Sequence, residues 1–366
     1  MVGLSVASAV SLKHQEVILL ERHESFGRET SSRSSEVIHA SIYYPQDSLK
    51  GWLCLEGNEM MYSICRENNI PHKNNGKLIV AVNEEQVRKL PDLLDTAKRN
   101  GARAVRIIGV DEIKELEPAV EAKAAIYCPS SGIVDSHSLM QYYEATTVNN
   151  GANVVYGAEV ISMTKDSGGY IIGLKERQGN YSEFWTKYII NSAGLGASDI
   201  AAMAGIDIDR AGYRLNYSKG MYFRVMHNVE AFPKMLIYPF PPGPGFVGIH
   251  TTPDMGGGMR LGPYDVWADK IEYSVDESLR QLFFDSCLPF LPYLNIDDLQ
   301  ADYAGIHPKI QKMGEGYRDF IIRHEEDKGL PNLINLIGIE SPGLTSSAAI
   351  GKYVNNMLDE IISKGK

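Results

Sequence analysis

Short unbroken apolar runs, separated by stretches of helical periodicity, set the pattern of this chain. Residues 17–20 are such a run, which ends at Glu21, and a segment of small apolar residues, 2–10, precedes it. A short apolar run bounded by polar residues is typical of a buried parallel strand. Small apolar residues favour a helix that packs closely on a sheet. The chain is therefore predicted to open with a helix and a strand that ends on an acidic residue.

The two periodicities continue along the whole chain. Apolar residues that recur every three or four positions predict helices, and runs or alternations predict strands. The predicted helices cover residues 49–68, 84–100, 136–149, 276–284 and 345–362. The predicted strands cover residues 76–82, 105–108, 154–156, 159–163, 170–174, 184–190, 221–225, 236–238, 246–249, 319–323 and 333–338. Pro91 is expected to kink or divide its helix, because proline lacks the N–H that an inner turn requires.

The order of these elements predicts an α/β (α+β) fold with two interleaved domains. Helices and buried strands dominate both ends of the chain, whereas the pattern between residues 210 and 304 is mostly antiparallel, with proline-rich turns such as residues 239–244. A Rossmann-like cofactor domain is predicted from residues 1–72, 135–208 and 305–366. The predicted substrate domain comprises residues 73–134 and 209–304.

Composition and charge narrow the class of protein. The chain has 366 residues, of which 44% are hydrophobic and 22% charged, as in a soluble globular enzyme. A net charge of −10 at pH 7 argues against a general nucleic-acid or anionic-membrane surface. It leaves room for a local basic pocket that binds an acidic small molecule. No apolar run approaches the roughly 18 residues of a membrane span, so no transmembrane segment is predicted, and a peripheral membrane contact stays open.

The cysteines indicate a reducing compartment. Cys54, Cys65, Cys128 and Cys287 show neither a CxxC pair nor the spacing of a zinc site. No metal site is predicted from them. A cytoplasmic location is the expectation.

A glycine near the start of the first helix and an acid at the strand tip form half of a dinucleotide-binding βαβ unit. Gly3 permits close helix–strand packing, and Glu21, 18 residues later, can accept hydrogen bonds from an adenosine ribose. The first strand and the two earlier glycines of the full fingerprint are not present ahead of Gly3. An ordinary helix–strand pair is the alternative interpretation.

A hydroxyl-rich turn follows the acidic strand tip. Its residues can surround a pyrophosphate with hydroxyls, backbone N–H groups and a guanidinium. The residues concerned are Arg22, Ser31, Ser32, Arg33 and Ser34. A solvated polar loop is the alternative, since that is how most serine-rich turns are used.

Residues 21–45, ERHESFGRETSSRSSEVIHASIYYP, resemble the FAD site of the D-amino-acid-oxidase-like flavoproteins. Within that family they are most similar to the L-2-hydroxyglutarate dehydrogenase/oxidase branch, whose pattern is T-S-x-R-N-S-x-V-I-H-A-G-I-Y-Y-P. Residues 191–197 (NSAGLGA) and 341–347 (SPGLTSS) match in the same order. The chain departs from the pattern at Ser34 (Asn in the family), at Ser41 (Gly) and at His307, where G-I-R-P-K has Arg. The last departure puts one substrate-carboxylate contact in doubt.

The resemblance implies an FAD cofactor. It implies that Val160 lies beside the adenine and that Ala193 and Gly194 lie against the ADP portion. Gly343, Leu344 and Thr345 begin the last predicted helix, and a helix N-terminus stabilises the negative charge of a reduced flavin. An ordinary capped helix is the alternative there. The predicted cofactor-binding residues are Gly3, Glu21, Arg22, Ser31, Ser32, Arg33, Ser34, Val160, Ala193, Gly194, Gly343, Leu344 and Thr345.

The same resemblance implies oxidation of a small L-2-hydroxy acid, L-2-hydroxyglutarate to 2-oxoglutarate, by hydride transfer to flavin N5. An acidic substrate needs cationic contacts, for which Lys219, Arg260 and Lys309 are candidates. Hydroxyls could be added by Tyr43, Tyr222 and Tyr303. His39 and His250 are candidate bases for the hydroxyl proton. Each of these residue types is more often structural. The alternatives are an oxidase of amino acids or N-methyl amino acids, and a truncated product that cannot hold FAD. The electron acceptor, whether a quinone, an electron-transfer protein or oxygen, stays open.

Overall fold

The computed structural model describes residues 1–227, 229–241, 243 and 247–365. Its α-helices are α1 (Val2–Ser11), α2 (Leu49–Glu67), α3 (Glu84–Arg99), α4 (Val110–Leu116), α5 (Ser136–Asn149), α6 (Ala197–Met203), α7 (Arg280–Cys287) and α8 (Gly343–Lys364). Short 3₁₀ helices cover Thr30–Arg33, Gly194–Gly196, Val229–Ala231, Glu277–Leu279, Ile296–Asp298 and Glu326–Lys328.

The strands are named in chain order. The first ten are β1 (Ile18–Glu21), β2 (Val37–Ile38), β3 (His72–Lys73), β4 (Lys77–Ala81), β5 (Arg106–Gly109), β6 (Ala124–Cys128), β7 (Gly132–Val134), β8 (Asn153–Tyr156), β9 (Ala158–Asp166) and β10 (Gly169–Glu176). The remaining ones are β11 (Tyr181–Thr186), β12 (Ile189–Asn191), β13 (Asn216–Val225), β14 (Leu236–Pro239), β15 (His250–Pro253), β16 (Met259–Ala268), β17 (Leu299–Lys309), β18 (Ile321–His324) and β19 (Leu333–Ile337).

The chain divides into two compact units, each assembled from separate stretches. Unit 1 comprises Met1–Ser32, Ser136–Asn216 and His307–Lys366. Unit 2 comprises Arg33–Asp135 and Tyr217–Ile306. The predicted cofactor domain also included residues 33–72, which belong to unit 2. The functional assignment of the two units stays a prediction.

Unit 1 contains two parallel strand pairs, one of which includes β1, the strand that the sequence predicts to be parallel. β1 pairs in parallel with β8, and β12 pairs in parallel with β19, which also pairs antiparallel with β18. Strands β9, β10 and β11 form a separate antiparallel sheet. The apolar side chains of these strands and of α6 share one buried core. The strand tips of β1 and β12 are thereby fixed by packing rather than by local sequence alone.

Helices α1 and α8 pack against each other closely within unit 1. A Cβ at Gly351 would lie 2.8 Å from the backbone oxygen of Ser5, so this approach requires glycine. The hydroxyl of Ser5 also donates a hydrogen bond of 2.8 Å to the backbone oxygen of Ser347. The small residues of α1 that predicted close packing are therefore used in this contact.

Unit 2 is built around the buried strand β4. Its four-stranded sheet has the order β14-β4-β6-β5, with β14 parallel and β6 antiparallel to β4. Leu78 and Val80 face one apolar core, and Ile79 and Ala81 face another. All five residues of β4 are buried, including Lys77. Separate sheets have the orders β15-β16-β13-β17 and β2-β7-β3.

Several predicted elements differ from the observed ones. Helix α3 is not divided at Pro91, whose exposed position leaves the unpaired helix carbonyl free to meet water. The predicted strand 184–190 is split into β11 and β12. Of the predicted strand 246–249, Phe246 lies outside the described residues, and so do Pro242 and Pro244 of the predicted turn. Helix α4 and strands β6, β16 and β17 were not predicted.

No helix in the described part of the chain is both long enough and apolar enough to cross a membrane.

Candidate functional site

The acidic tip of β1 is fixed by local hydrogen bonds in unit 1. Glu21 is the last residue of β1, and its carboxylate accepts a hydrogen bond of 2.9 Å from the backbone N–H of His23. The guanidinium of Arg22 forms an ion pair with Glu29. It also points toward the turn after β12, where Nη1 lies 4.0 Å from the position of a Cβ at Gly196. Glu21, Arg22 and this turn are therefore neighbours.

The first turn of α1 lies against the serine-rich segment of unit 1. The amino group of Met1 donates a hydrogen bond of 3.2 Å to the hydroxyl of Ser31. The hydroxyl of Ser32 lies 3.5 Å from the backbone oxygen of Glu29 and is otherwise exposed. The hydroxyl of Ser31, in the predicted pyrophosphate turn, thus lies at a helix N-terminus, which is the place where an anion is stabilised.

Asn191 holds the turn that carries Ala193 and Gly194. Its amide donates to the backbone oxygen of Ala197 at 2.9 Å, and its side-chain oxygen accepts from the N–H of Ala193 at 3.2 Å. Ala193 and Gly194 are exposed, and Gly194 has a φ of +55°, which favours glycine. The Asn before the Ala-Gly pair therefore shapes this turn.

Gly3 brings α1 close to the same turn. A Cβ at Gly3 would lie 3.4 Å from the Cβ of Ser192. The hydroxyl of Ser192 is buried and has no hydrogen-bond partner among the described residues. Val160, in β9, is partly buried against the core of this unit.

Helix α8 begins without a side-chain cap. Its N-cap is Pro342, and a Cβ at Gly343 would lie 2.9 Å from Cγ2 of Ile339. Thr345 is fully buried, and Leu344 is partly buried. The buried hydroxyl of Ser346 has no hydrogen-bond partner in the part of the chain that the structure describes. The N–H of Gly343 donates a hydrogen bond to the backbone oxygen of Glu340, so the first turn of α8 is closed by backbone and not by a side-chain cap.

These features fit an FAD. The cofactor presents ribose hydroxyls, a pyrophosphate and a flavin ring edge, which need a carboxylate, backbone N–H groups and hydroxyl donors. Unit 1 provides the carboxylate of Glu21, two helix N-termini and the unpaired hydroxyls of Ser192 and Ser346. Ser192 and Ser346 were not singled out from the sequence, although both lie in segments that match the family pattern.

The remaining predicted turn residues lie in unit 2. The guanidinium of Arg33 stacks 4.1 Å from the ring centroid of Tyr273 and donates to the backbone oxygen of Ala304 at 3.4 Å. The hydroxyl of Ser34 accepts a hydrogen bond of 3.3 Å from the N–H of Glu36. Arg33 is therefore held by neighbours within its own unit.

The two candidate bases lie in one cluster of unit 2. His250 is 2% exposed, its ring stacks on Tyr238 at a centroid distance of 3.7 Å, and its Nδ1 hydrogen-bonds the backbone oxygen of Thr251 at 3.0 Å. Because a carbonyl only accepts, the proton lies on Nδ1 and Nε2 is the basic nitrogen. Burial lowers the pKa of His250 to about 3. Burial, followed by the charges of Lys77 and His250, holds the pKa of His39 well below its usual value. Both imidazoles are neutral at pH 7 and can accept a proton.

Lys77 belongs to the same cluster and was not predicted as a site residue. Its side chain is 1% exposed, and Nζ lies 3.8 Å above the ring centroid of Tyr238. Burial lowers its pKa to about 8. Among the described residues, the charges that shift this pKa are those of the Cys128 and Cys54 thiols, and neither is a carboxylate. The available signal was a lysine near the start of the predicted strand 76–82, whose other side chains are apolar.

The predicted carboxylate contacts already have acidic partners. Nζ of Lys219 lies 2.8 Å from Oε2 of Glu272. Nε of Arg260 lies 2.6 Å from Oδ2 of Asp302, and its Nη1 lies 3.5 Å from Oδ2 of Asp254. A substrate carboxylate would have to replace these groups. Their role as substrate contacts stays a prediction.

Comparisons with known proteins agree with the sequence patterns and the fold. A family model described as FAD dependent oxidoreductase matches residues 1–357. A mitochondrial L-2-hydroxyglutarate dehydrogenase of Arabidopsis thaliana is 34% identical over 97% of this chain and 81% of its own length. A glycerol 3-phosphate dehydrogenase of Caloramator mitchellensis is 28% identical over 99% of this chain and 73% of its length. Dithionite-reduced L-α-glycerophosphate oxidase from Mycoplasma pneumoniae, with FAD bound, has a TM-score of 0.85 at 23% identity, over 98% of this chain and 92% of that chain.

These findings confirm the predicted fold class, the FAD cofactor and the resemblance to the D-amino-acid-oxidase-like flavoproteins. They also confirm an enzyme that acts on CH–OH or CH–NH donors. Since the family model covers nearly the whole chain, this protein belongs to the family of FAD-dependent oxidoreductases.

Proposed function

We propose that the protein oxidises a small L-2-hydroxy acid, with L-2-hydroxyglutarate as the substrate to be tested first. The observation that carries this proposal is the cluster of His39, His250 and Lys77 in unit 2, where two neutral imidazoles accompany a buried ammonium. A hydroxy acid needs both a proton acceptor and a cation. The relative named L-2-hydroxyglutarate dehydrogenase supports the same substrate class.

His39 is the proposed acceptor of the hydroxyl proton, and Nε2 of His250 is the alternative acceptor. Bound FAD supplies the oxidising equivalent by accepting the hydride. An imidazole that is neutral at pH 7 can take a proton, and an anionic substrate beside it raises its pKa. The buried surroundings of His250 also exclude water from the nitrogen that would accept the proton.

Unit 1 is the proposed cofactor half and unit 2 the proposed substrate half. Glu21 would accept hydrogen bonds from the ribose, and Gly3 with the turn at Ala193 and Gly194 would let backbone approach the ADP portion. The N-terminus of α8 would stabilise negative charge on the flavin ring edge. The other proposed cofactor contacts are Arg22, Ser31, Ser32, Arg33, Ser34, Val160, Gly343, Leu344 and Thr345.

Lys219 and Arg260 would contact a substrate only by exchanging their carboxylate partners. A charge-assisted contact of 2.6–2.8 Å to Glu272 or Asp302 would have to be replaced by one of equal strength. Replacing one carboxylate by another in this way gives no evident gain in binding free energy. The cation that lacks such a partner, Lys77, is the better match to a substrate anion.

Two other donors are tested against this proposal. Glycerol 3-phosphate is one, because the chain is similar to a glycerol 3-phosphate dehydrogenase and a phosphate could also pair with Lys77. Amino acids and N-methyl amino acids are the other, because solved structures with a similar fold include glycine oxidases. A substrate ammonium beside the buried Lys77 would be repelled, which argues against the amine.

Anaerobic bleaching of the flavin separates these donors. The purified holoenzyme is mixed with L-2-hydroxyglutarate, L-lactate, glycerol 3-phosphate, glycine or sarcosine, and absorbance is followed at the flavin band. The proposal expects the fastest bleaching with L-2-hydroxyglutarate. Bleaching by sarcosine or glycine alone would contradict this proposal and support an oxidase of amines. Bleaching by glycerol 3-phosphate alone would contradict it and support a glycerol 3-phosphate dehydrogenase.

The electron acceptor is proposed to be a quinone, an electron-transfer protein or oxygen. Reoxidation of the bleached enzyme by each class, measured by stopped flow, distinguishes them. A cytoplasmic location also stays a proposal, since the Arabidopsis relative is named as mitochondrial.

A further inference from the structure

Two buried hydroxyls of unit 2, those of Tyr43 and Tyr238, have no hydrogen-bond partner among the described residues. The ammonium of the buried Lys77 lies 3.8 Å from the ring centroid of Tyr238. Tyr238 is fully buried, and Tyr43 packs against the same core cluster. Buried polar groups without partners cost free energy, so native proteins rarely keep them. The two hydroxyls and the neighbouring ammonium can together donate hydrogen bonds to one bound anion.

Lys77 and Tyr238 lie together because of the sheet around β4, and Tyr43 packs against the apolar core that contains Tyr238. Lys77 is opposite Leu236 on β14 and opposite Cys128 on β6. Tyr238 lies two residues further along β14, so its ring passes under the ammonium, 3.8 Å from Nζ. The rigid, buried strands therefore fix the donors before any ligand binds.

Within the described part of the chain, no carboxylate is among the charged groups that shift the pKa of Lys77. The titratable groups that face it are His39, from the segment after β2, His250 on β15, Cys54 on α2 and Cys128 on β6. Both histidines are neutral at pH 7, and burial raises the pKa of the Cys54 thiol to about 12. Cys128 is buried, and its Sγ lies 3.5 Å from the hydroxyl of Ser131. The cluster thus has a net positive character and three hydrogen-bond donors, as an anion site requires.

We propose that Lys77, together with Tyr43 and Tyr238, binds one carboxylate of the substrate and so selects organic acids, an inference that rests on the proposed function. The ammonium supplies the charge, and the two phenol hydroxyls donate hydrogen bonds to the carboxylate oxygens. A neutral alcohol would leave the buried cation unpaired and is rejected for that reason. Lys77 is therefore a specificity-determining residue that the sequence pattern did not reveal.

Binding should couple to protonation of Lys77. The free lysine, with a pKa of about 8, is mostly neutral above that pH and must take up a proton before it pairs with a carboxylate. The dissociation constant is then constant below about pH 8 and rises by about tenfold for each pH unit above it. Calorimetry in two buffers of different ionisation enthalpy measures the proton uptake directly.

Glutarate is the probe, because it offers carboxylates but no hydroxyl to oxidise. Its dissociation constant is measured on the holoenzyme by calorimetry and by the flavin difference spectrum. The expected change is a rise of about 100-fold in Lys77→Met and about tenfold in Tyr43→Phe and in Tyr238→Phe, with a smaller loss in Lys77→Arg. Lys89→Met, on the exposed face of α3, is the matched control and should bind as the parent does.

The outcomes separate this inference from the proposed function. Flavin bleaching by L-2-hydroxyglutarate with unchanged glutarate binding in a folded, FAD-loaded Lys77→Met variant would overturn the lysine site and leave the function standing. Glutarate binding that depends on Lys77, without bleaching by L-2-hydroxyglutarate, would support the lysine site and overturn the proposed function. If Lys77→Met does not fold, the two Tyr→Phe variants and the proton uptake of the parent decide the matter. Absence of glutarate binding to the parent, or tighter competition by inorganic phosphate, would also overturn the inference.

Discussion

Individual side chains of unit 2 combine neutrality and burial in a way that suits proton transfer. His250 is held in one tautomer by its hydrogen bond to Thr251, and its ring is stacked on Tyr238. A base must be unprotonated at the working pH, and the lowered pKa of both imidazoles ensures this. The positive charge of Lys77 contributes to the lowering, so an anionic substrate that pairs with Lys77 would also make the imidazoles more basic.

His39→Ala should reduce turnover by a factor of about 10²–10⁴ while FAD stays bound, because loss of a general base typically costs that much. Rapid anaerobic mixing with L-2-hydroxyglutarate measures the rate of flavin reduction, and absorbance measures the FAD content. His227→Ala, at an exposed histidine, is the control. Reduction of His39→Ala at the parent rate would transfer the role of base to His250.

Glu21→Ala should weaken FAD binding by roughly 1–3 kcal/mol, the range for charge-assisted hydrogen bonds to a ribose. Glu21 is partly exposed at the tip of β1, so the fold should survive the change. The FAD dissociation constant is measured by fluorescence titration of the apoprotein, with Glu24→Ala, at an exposed position, as the control. Equal affinity in Glu21→Ala and the parent would remove Glu21 from the cofactor site.

At the scale of elements, the sequence predicted what repeats and missed what depends on distant partners. The apolar run of β1 and the long helical pattern of α8 can be predicted from the local sequence, because the spacing of apolar residues shows which face is buried. Strand β6 has an equally apolar sequence, yet its partner β4 lies more than forty residues earlier. The division of residues 184–190 into β11 and β12 likewise follows from two different sheets. The periodicity of apolar residues shows which face of a strand is buried, but it does not show which strand is its partner.

The site shows the same limit. Gly3, Glu21 and the Ala193–Gly194 turn could be proposed because they match a spaced motif. Lys77 could not be proposed in this way, because its surroundings come from β14, β6 and β15 and not from its neighbours in sequence. Conversely, Lys219 and Arg260 looked available in the sequence, whereas their acidic partners, Glu272 and Asp302, lie more than forty residues away.

The turn after β2 offers a test at the same scale. Ser41 is fully buried with a φ of +57°, and its hydroxyl donates to the backbone oxygen of Gly51 at 2.8 Å. Ser41→Gly removes both a left-handed strain and a hydrogen bond, each worth about 1 kcal/mol, so the free energy of unfolding should change by less than about 1 kcal/mol. Ser41→Ala keeps the strain and loses the bond, so it should destabilise by about 1–2 kcal/mol. Urea denaturation of both holoproteins measures the difference, and equal losses in the two variants would show that the backbone strain is negligible.

At the scale of the whole molecule, a cation is buried in a chain of net charge −10. Long-range attraction of an anionic substrate is therefore absent, and affinity must come from short-range contacts inside the protein. A buried, unpaired lysine is an expensive way to obtain such a contact, because desolvation of its charge opposes folding. The fold accepts this cost if the lysine serves binding, as is usual where function and stability compete.

Lys77→Met should therefore stabilise the protein while impairing substrate binding. The pKa of Lys77 is about 8 in the folded chain and 10.5 as the ordinary value. Between these two values the unfolded chain binds more protons than the folded one, so the parent gains stability as pH rises through this window. Below about pH 8 the lysine carries its full penalty, up to about 3 kcal/mol. The variant should be more stable than the parent by about 1–3 kcal/mol at pH 7, and the difference should shrink toward pH 10.5. Urea denaturation at pH 7, 8.5 and 10 with saturating FAD measures it, with Lys89→Met as the control. A pH-independent difference would mean that repacking by the methionine, and not the charge of Lys77, sets the stability.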